Sequence, residues 1–183
     1  MISNKTNKQK AAITAVGGFV PDDFLSNRDL EKLVDTNDEW ITARTGIKKR
    51  RILKKQGKGT SYLAINAAND LLKKKKIDPK SIDLVILSTI TPDYHVASSA
   101  PTVASEIKAI NAYAYDISAA CSGFLYGMSI ATSYIESGRY KKVLLIGADM
   151  MSSIVDYTDR STSILFGDGA GAVLVEPSIN NFG

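Results

Sequence analysis

The sequence is poor in the residues on which many kinds of site depend. Its 183 residues include one cysteine, Cys121, and one histidine, His95. One cysteine cannot form an internal disulfide or a multi-cysteine metal site, and one histidine excludes histidine-rich metal sites. No metal site is therefore predicted.

The chain also lacks long hydrophobic runs. No apolar stretch approaches the ~18 residues that a membrane-spanning helix needs. The first ten residues, MISNKTNKQK, have no apolar segment of the kind found in signal peptides. Hydrophobic residues make up 44% of the chain and charged residues 23%, which is ordinary for a globular protein. We therefore expect a cytoplasmic protein that does not bind membranes, with a flexible N-terminus over residues 1–10.

Positive charge is concentrated in one stretch. Residues 44–58, RTGIKKRRILKKQGK, hold eight Lys and Arg and no acid. Such a stretch could meet phosphates or an acidic partner, although a solvated loop is the simpler interpretation. The stretch has no interleaved aromatic residues, so we do not expect a nucleic-acid partner.

The pattern of apolar residues predicts an α/β fold with the order β-α-β-α-β-α-β-β. Such alternation implies a mostly parallel sheet covered by helices on both faces. The last two strands are too close in sequence for a helical crossover, so we expect the final strand to be antiparallel, at or near the edge of a five-stranded mixed sheet. The strands are predicted at 11–16, 84–90, 112–117, 142–148 and 172–176, and the longer helices at 60–75 (capped by Thr60), 98–109 and 121–137.

Cys121 is the leading candidate for a nucleophile. It follows a predicted strand and begins a predicted helix, in DISAACSGF. A helix N-terminus offers free N–H groups and a positive dipole end, and both favour the thiolate over the thiol. The alternative is that this lone cysteine is a small buried hydrophobic residue. The helix 121–137 carries a single charge, Glu136, so we expect it to be buried on nearly every side.

Three other features are weaker candidates for a site. Trp40 and Arg44 are four residues apart on a predicted helix, so they share a face that could stack on a flat ring. His95 lies in a loop after a buried strand, where α/β proteins often bind ligands. The run FGDGAGA at 166–172 leads into a strand and is not G-x-G-x-x-G, so it indicates a tight turn and not a nucleotide loop.

Four stretches carry a family resemblance. They are VDTNDEWITARTGIKKRRI (34–52), YAYDISAACSGFLYG (113–127), KKVLLIGAD (141–149) and DYTDRSTSILFGDGAGAVL (156–174). In this order they identify a chain that resembles the β-ketoacyl-acyl carrier protein synthase III family of the thiolase superfamily. The resemblance implies a thiolase-like fold of two similar α/β halves. This chain then corresponds to the N-terminal half, with residues 11–177 as its domain and 178–183 leading towards an absent C-terminal half.

The resemblance also implies an activity and its residues. Cys121 matches the nucleophile that accepts an acyl group from coenzyme A before malonyl-acyl carrier protein loses carbon dioxide and attacks the thioester. Trp40 and Arg160 match the residues that hold the adenine of coenzyme A, and Thr36 and Arg44 match further contacts to that nucleotide. Coenzyme A is a substrate in this scheme, so no cofactor is implied. The implied partners are acyl-CoA, malonyl-acyl carrier protein and a second copy of the chain in a homodimer.

The chain departs from the family pattern in two places. Val96 matches a position that shapes the acyl pocket across the dimer interface, where the family often has an aromatic residue followed by Pro; here Ala97 follows. The H-Q-A-N and N-x-G-N motifs, which carry the decarboxylating His and Asn, do not occur. We therefore expect a wider acyl pocket and no condensation by these residues alone. Two alternatives stay open: a truncated or non-catalytic subunit that serves as an assembly partner, and a thiolase-fold enzyme with different chemistry.

Overall fold

A computed structural model describes residues 9–179. The predicted flexible N-terminus and the predicted connection at 178–183 fall largely outside these residues. The elements are strands β1 (Ala11–Phe19), β2 (Phe24–Ser26), β3 (Lys49–Arg51), β4 (Leu84–Ser88), β5 (Tyr113–Ile117), β6 (Val143–Met150) and β7 (Asp168–Pro177), and helices α1 (Asn27–Leu30), α2 (Asp38–Thr45), α3 (Thr60–Lys75), α4 (Ala100–Glu106), α5 (Gly123–Glu136) and α6 (Arg160–Ser163).

Five strands form one mixed sheet, in the order β1-β7-β6-β4-β5. The pairs β4–β5 and β4–β6 are parallel, whereas β7 is antiparallel to both of its neighbours, β6 and β1. The predicted five-stranded mixed sheet is therefore confirmed, and the last strand lies one place in from the edge. Because β4 and β6 are parallel neighbours, their carboxyl ends meet at one end of the sheet.

Helices cover the two faces of this sheet unequally. One face packs against α3 and α4, in a core cluster that includes Leu71, Val103 and Leu144, all fully buried. The contact is close at Gly17 of β1, where a Cβ would lie 2.5 Å from the carbonyl oxygen of Ala67. On the other face, α5 packs against inward side chains of β4, β6 and β7, among them Ile86.

Helix α5 is less buried than its sequence suggests. Its buried residues are Gly123, Gly127, Ala131 and Ile135, a single stripe at every fourth position. On the opposite side, Leu125 is 68% exposed and Tyr126 is 58% exposed. The prediction of burial on nearly every side is therefore wrong for the described residues, because only one layer of strands covers this helix.

Two local features also differ from the sequence prediction. Thr60 does not cap α3: Gly59 occupies the cap position, and the Thr60 hydroxyl instead contacts the carbonyl oxygen and, at 2.9 Å, the hydroxyl oxygen of Thr91. A second sheet, formed by β2 and β3, was not predicted, because each strand has only three residues. It lies beside α1, which begins with a capping box: the Ser26 side chain accepts from the Asp29 N–H.

Among residues 9–179, no helix is long and apolar enough to cross a membrane.

Candidate active site

Cys121 is exposed and lies in a short 3-10 turn, Ala120–Ser122, between β5 and α5. The helix itself begins at Gly123, so the cysteine precedes the first helical residue by two positions. Ala120, directly before it, has a left-handed backbone with φ of 46°. This conformation costs an alanine roughly 1–2 kcal/mol, and such strain is concentrated at functional sites. The turn presents the thiol to solvent, so Cys121 is not the buried hydrophobic residue of the alternative interpretation.

An open cavity of about 420 Å³ lies beside Cys121, at the carboxyl ends of β4 and β6. Four of its twelve lining residues are glycines, which add no side chain to it. At Gly147 a Cβ would come within 3.2 Å of the Phe124 ring, which packs over that strand. The cavity is lined by Ser88, Ala120, Cys121, Phe124, Gly147, Ala148, Asp149, Met151, Gly167, Gly169, Ala170 and Gly171.

The glycine run 166–172 contributes to this wall as strand and not as the predicted tight turn. Gly169 and Gly171 lie within β7, and neither has a positive φ. Gly167 is required by close approach, since a Cβ there would lie 2.9 Å from the carbonyl oxygen of Arg51. Between them, Asp168 is buried and accepts hydrogen bonds from the Leu53 N–H (2.7 Å) and from Ser152. The hydrogen bonds of Asp168 therefore link this run to Leu53 and Ser152, and the glycines of the run add no side chain to the cavity beside Cys121.

Two polar residues of the cavity were missed by the sequence analysis. Ser88 is 5% exposed and lines the cavity at the end of β4. Asp149 accepts hydrogen bonds from the Ile90 N–H at 2.8 Å and from the hydroxyls of Thr89 and Thr91. Both Ser88 and Asp149 stand at the carboxyl ends of parallel strands, where α/β folds place functional groups, so their position in the strand order could have singled them out.

A second cluster surrounds Trp40 on α2. The helix is capped by Asn37, whose side chain accepts from the Trp40 N–H at 2.8 Å. The Arg44 guanidinium lies 4.3 Å from the centre of the indole ring, and that of Arg160 lies 5.1 Å from it. Arg160 also donates to the carbonyl oxygen of Asp35 at 3.0 Å. The structure thus brings together three of the predicted coenzyme A residues, although Arg160 lies more than 100 positions from the other two in the sequence.

A small apolar core supports this cluster. It consists of Leu30, Ile41 and Ile164, with Trp40 and Tyr157 packed against it. The hydroxyls of Thr36 and Tyr157 are buried close to these elements without a hydrogen-bond partner, as is that of Ser163 on α6. Burial raises the pKa of Tyr157, and the charge of Asp168 adds to the effect. Thr36, the fourth predicted coenzyme A contact, is therefore present as an unpaired buried hydroxyl.

The basic stretch 44–58 contains one buried cation, Arg50, and seven exposed ones. Arg50 is buried, donates to the carbonyl oxygen of Ile164 at 2.7 Å and also contacts the Asn27 side chain. Desolvation lowers the pKa of this guanidinium. Arg50 therefore links β3 to α6, which places it within the protein and away from any phosphate. The remaining cations of the stretch are exposed, but the stretch is not a single loop, because Arg44 lies in α2 and Lys49 and Arg51 lie in β3.

Val96 and His95 lie apart from both clusters. They belong to the segment between β4 and α4, and Val96 is 100% exposed. Neither residue lines the cavity beside Cys121 in this chain. The role of Val96 across a dimer interface stays a prediction.

Comparison with solved structures identifies the class of fold. The 3-oxoacyl-[acyl-carrier-protein] synthase III from Aquifex aeolicus superposes with a TM-score of 0.88 at 51% identity, covering 93% of this chain and 54% of that one. The priming β-ketosynthase of the R1128 polyketide pathway superposes with a TM-score of 0.89 at 38% identity, covering 93% and 51%. The fold is therefore that of the thiolase-like condensing enzymes.

Sequence comparison finds relatives within this class. Residues 115–183 match the family of 3-oxoacyl-[acyl-carrier-protein (ACP)] synthase III. The β-ketoacyl-[acyl-carrier-protein] synthase III of Chlorobium chlorochromatii is 56% identical over 172 residues, or 94% of this chain, and synthase III 2 of Bacteroides thetaiotaomicron is 52% identical over 176 residues, or 96%. The chain is related by sequence and by fold to the β-ketoacyl-acyl carrier protein synthase III family, and it spans about half the length (52%) of these curated relatives.

Proposed function

We propose that the protein acts in β-ketoacyl-acyl carrier protein synthesis, as an acyltransferase that takes a primer acyl group from coenzyme A onto Cys121. The observation that carries this proposal is the exposed thiol on a strained turn, facing a cavity lined by glycine backbone. The relationship to the synthase III family supports it, because the relatives that match 94% and 96% of this chain are named for that activity.

The first half-reaction needs only a nucleophile and a bound thioester. The Cys121 thiolate attacks the carbonyl carbon of the acyl-CoA, a new carbon–sulfur bond forms, and the bond to the coenzyme A sulfur breaks. The coenzyme leaves as its thiolate and takes a proton from solvent. The N-terminus of α5, two residues after Cys121, carries the positive end of the helix dipole and is suited to stabilise the oxyanion that develops during the attack.

Trp40, Arg44, Arg160 and Thr36 are proposed to bind the nucleotide end of coenzyme A. Two planar groups in contact with opposite faces of an adenine are separated by roughly 7 Å, twice a van der Waals contact. The Arg160 guanidinium lies 5.1 Å from the indole centre, so it must move outward by about 2 Å to admit the ring. The positive charges of Arg44 and Arg160 also suit the phosphates of the same ligand.

The second half-reaction is proposed to need residues beyond this chain. Malonyl-acyl carrier protein would lose carbon dioxide, and the resulting carbanion would attack the Cys121 thioester, forming a carbon–carbon bond and releasing the thiolate. Decarboxylation needs donors that stabilise the developing enolate. We propose that a C-terminal half supplies them, that the enzyme works as a cytoplasmic homodimer with Val96 in the acyl pocket of the partner, and that it uses no cofactor.

Mass spectrometry of the intact protein tests the proposal directly. Incubation with acetyl-CoA or isobutyryl-CoA should add one acyl group, and hydroxylamine should remove it because thioesters are labile to it. Prior treatment with iodoacetamide near neutral pH should block the addition, since Cys121 is the sole cysteine. Acylation that persists after alkylation, or no acylation with any acyl-CoA, would contradict the proposed function.

A further inference from the structure

The segment that joins β4 to α4, residues 89–99, is here named the anchored loop. We infer that Asp149 is a positioning residue for this loop and thereby sets the acyl-chain preference through the position of Val96. The inference rests on the proposed function, because it assumes that Val96 at the tip of the loop borders an acyl pocket.

The start of the anchored loop is held by a single carboxylate oxygen. Asp149 Oδ1 accepts the Ile90 N–H at 2.8 Å, the Thr89 hydroxyl at 2.9 Å and the Thr91 hydroxyl at 3.1 Å. The contact is reciprocal, since the Met150 N–H donates to the Thr91 hydroxyl oxygen at 2.8 Å. Hydrogen bonds to an ionised acceptor are about twice as strong as neutral ones, so these three donors are fixed firmly to the end of β6.

The far end of the loop is held in the same way. Asp116 accepts the N–H groups of Ser99 and Ala100, each at 2.7 Å. Inside the loop, Asp93 donates its N–H to the Ser99 hydroxyl oxygen at 3.1 Å, and its carboxylate accepts the Ser61 N–H at 3.0 Å. Residues 94–98 between these attachments are all exposed. The tip therefore projects from a base that is fixed on both sides.

Asp149 connects this loop to the nucleophile. It lines the cavity beside Cys121, and its carboxylate holds the first three residues of the loop that carries Val96. Asp116 and Asp93 hold the loop without lining that cavity. Asp149 alone of these carboxylates both holds the loop base and lines the cavity of its own chain, while the loop tip that it positions is proposed to border the acyl pocket of the partner. A misplacement of about 1 Å can change a rate by up to ~100-fold, so a small shift of the loop suffices to change selectivity.

The test compares Asp149→Asn with Asp70→Asn in the full-length polypeptide. Asp70 is a matched control, because its carboxylate accepts a backbone N–H, that of Gly18 at 3.0 Å, and pairs with Lys74, away from the anchored loop. Thr91→Val is a second test variant, since it removes one of the three donors with little change of shape. The measurement is kcat/KM for acylation of Cys121 by acetyl-, butyryl- and isobutyryl-CoA, with hydrogen exchange of residues 89–99.

We expect Asp149→Asn to change the ratio of kcat/KM between straight and branched acyl groups by roughly tenfold, and Thr91→Val to change it in the same direction. Exchange in the loop should rise in both variants, while Asp70→Asn should keep the wild-type ratio and exchange. An unchanged ratio in the two test variants, with the wild type normally acylated, would overturn the inference alone. A wild type that no acyl-CoA acylates would contradict the proposed function and, with it, the inference.

Discussion

The cavity beside Cys121 and the cluster around Trp40 differ in whether their buried polar groups have hydrogen-bond partners. Behind the cavity, Thr60, Thr91 and Asp168 are buried and every one of them has hydrogen-bond partners. Around Trp40, the buried hydroxyls of Thr36 and Tyr157 have none, and neither has that of Ser163 on α6. These three are the buried side-chain polar atoms without a partner among residues 9–179.

This contrast indicates different tasks for the two regions. A fully satisfied polar network is rigid and specifies one arrangement, which suits a nucleophile that must meet a carbonyl carbon in a narrow range of geometries. An unpaired buried hydroxyl costs about 1–3 kcal/mol, and a ligand or a small shift can recover part of that cost. We therefore propose that the Trp40 cluster rearranges when coenzyme A binds, as the proposed movement of Arg160 also requires.

The largest expected effect is the loss of acyl transfer on substitution of Cys121. Cys121→Ser should reduce acyl transfer from acyl-CoA by roughly 10³-fold or more, because a serine hydroxyl without an adjacent base is a poor nucleophile. Radiolabelled acetyl-CoA followed by protein precipitation measures the transfer. Binding of free coenzyme A at the Trp40 cluster should be unchanged, which provides the control. If the Cys121→Ser variant is acylated as fast as the wild type, another residue is the nucleophile.

The next prediction concerns residues 1–183 as an isolated polypeptide. They should accept an acyl group on Cys121 slowly at best and should release no carbon dioxide from malonyl-acyl carrier protein, because the donors proposed for decarboxylation are not among them. The exposed side of α5, with Leu125 and Tyr126, should also drive self-association. Carbon dioxide release and light scattering measure the two effects, and a C-terminal half added in trans should restore activity. A monodisperse monomer that decarboxylates at enzyme-like rates would refute this.

Trp40→Ala and Arg160→Ala should each raise the KM for acyl-CoA by roughly 5- to 30-fold, the equivalent of about 1–2 kcal/mol of lost stacking. The KM for malonyl-acyl carrier protein in the full-length enzyme should hardly change. Lys54→Ala is the matched control, since Lys54 is an exposed cation of the same basic stretch with no ion pair among the described residues. If both test variants keep the wild-type KM for acyl-CoA, the adenine binds elsewhere.

Val96→Phe should narrow the acyl pocket and favour acetyl-CoA over isobutyryl-CoA by roughly 5- to 150-fold. The range follows from the ~1–3 kcal/mol that a methylene-sized change in an apolar pocket is worth. Because Val96 is fully exposed in the single chain, its substitution should leave the stability of the fold unchanged. The ratio of kcat/KM for the two substrates decides the matter, and a wild type that already strongly prefers acetyl-CoA would assign the pocket to other residues.

The smallest expected effect is a difference in unfolding free energy between a substitution at the Trp40 cluster and one behind the cavity. Tyr157→Phe should raise the free energy of unfolding by up to about 1–3 kcal/mol, because it removes a buried hydroxyl that has no partner, whereas Thr91→Val should lower it by about 1–3 kcal/mol. Urea titrations of both variants near neutral pH measure the difference. A Tyr157→Phe variant that loses as much stability as Thr91→Val would show that the tyrosine hydroxyl is paired after all.

The same tyrosine predicts a pH dependence. Burial raises the pKa of Tyr157 in the folded state, and the unfolded tyrosine ionises near pH ~10. The folded protein therefore holds this proton more tightly, so the stability contributed by Tyr157 is complete below about pH 10 and is lost as the pH rises further. Urea titrations between about pH 9 and 11 should show a shallower decline for Tyr157→Phe than for the wild type. Equal slopes would contradict the burial of this hydroxyl.

How far the sequence predicts each element depends on the length of its pattern. The bounds of the strands at 84–90 and 142–148 were predicted to within two residues, because each is a continuous apolar run, and those of the helix at 60–75 were predicted to the residue, because its apolar positions lie on one face. The β2–β3 sheet has only three residues in each strand and no such period. Its position depends on contacts such as the hydrogen bond from Arg50 to the carbonyl oxygen of Ile164 at the end of α6, 114 residues further along the chain.

Local sequence by itself determined the α/β order of elements, the antiparallel final strand and the placement of Cys121 between a strand and a helix, because these depend on neighbours within a few residues. The motifs around Trp40 and Arg160 also indicated a shared ligand. Only the tertiary structure decided that their side chains meet, that Asp149 binds the loop carrying Val96, and that one side of α5 stays exposed. These features join residues far apart in the chain, and their geometry is set by how the strands pair and which surfaces remain to be covered.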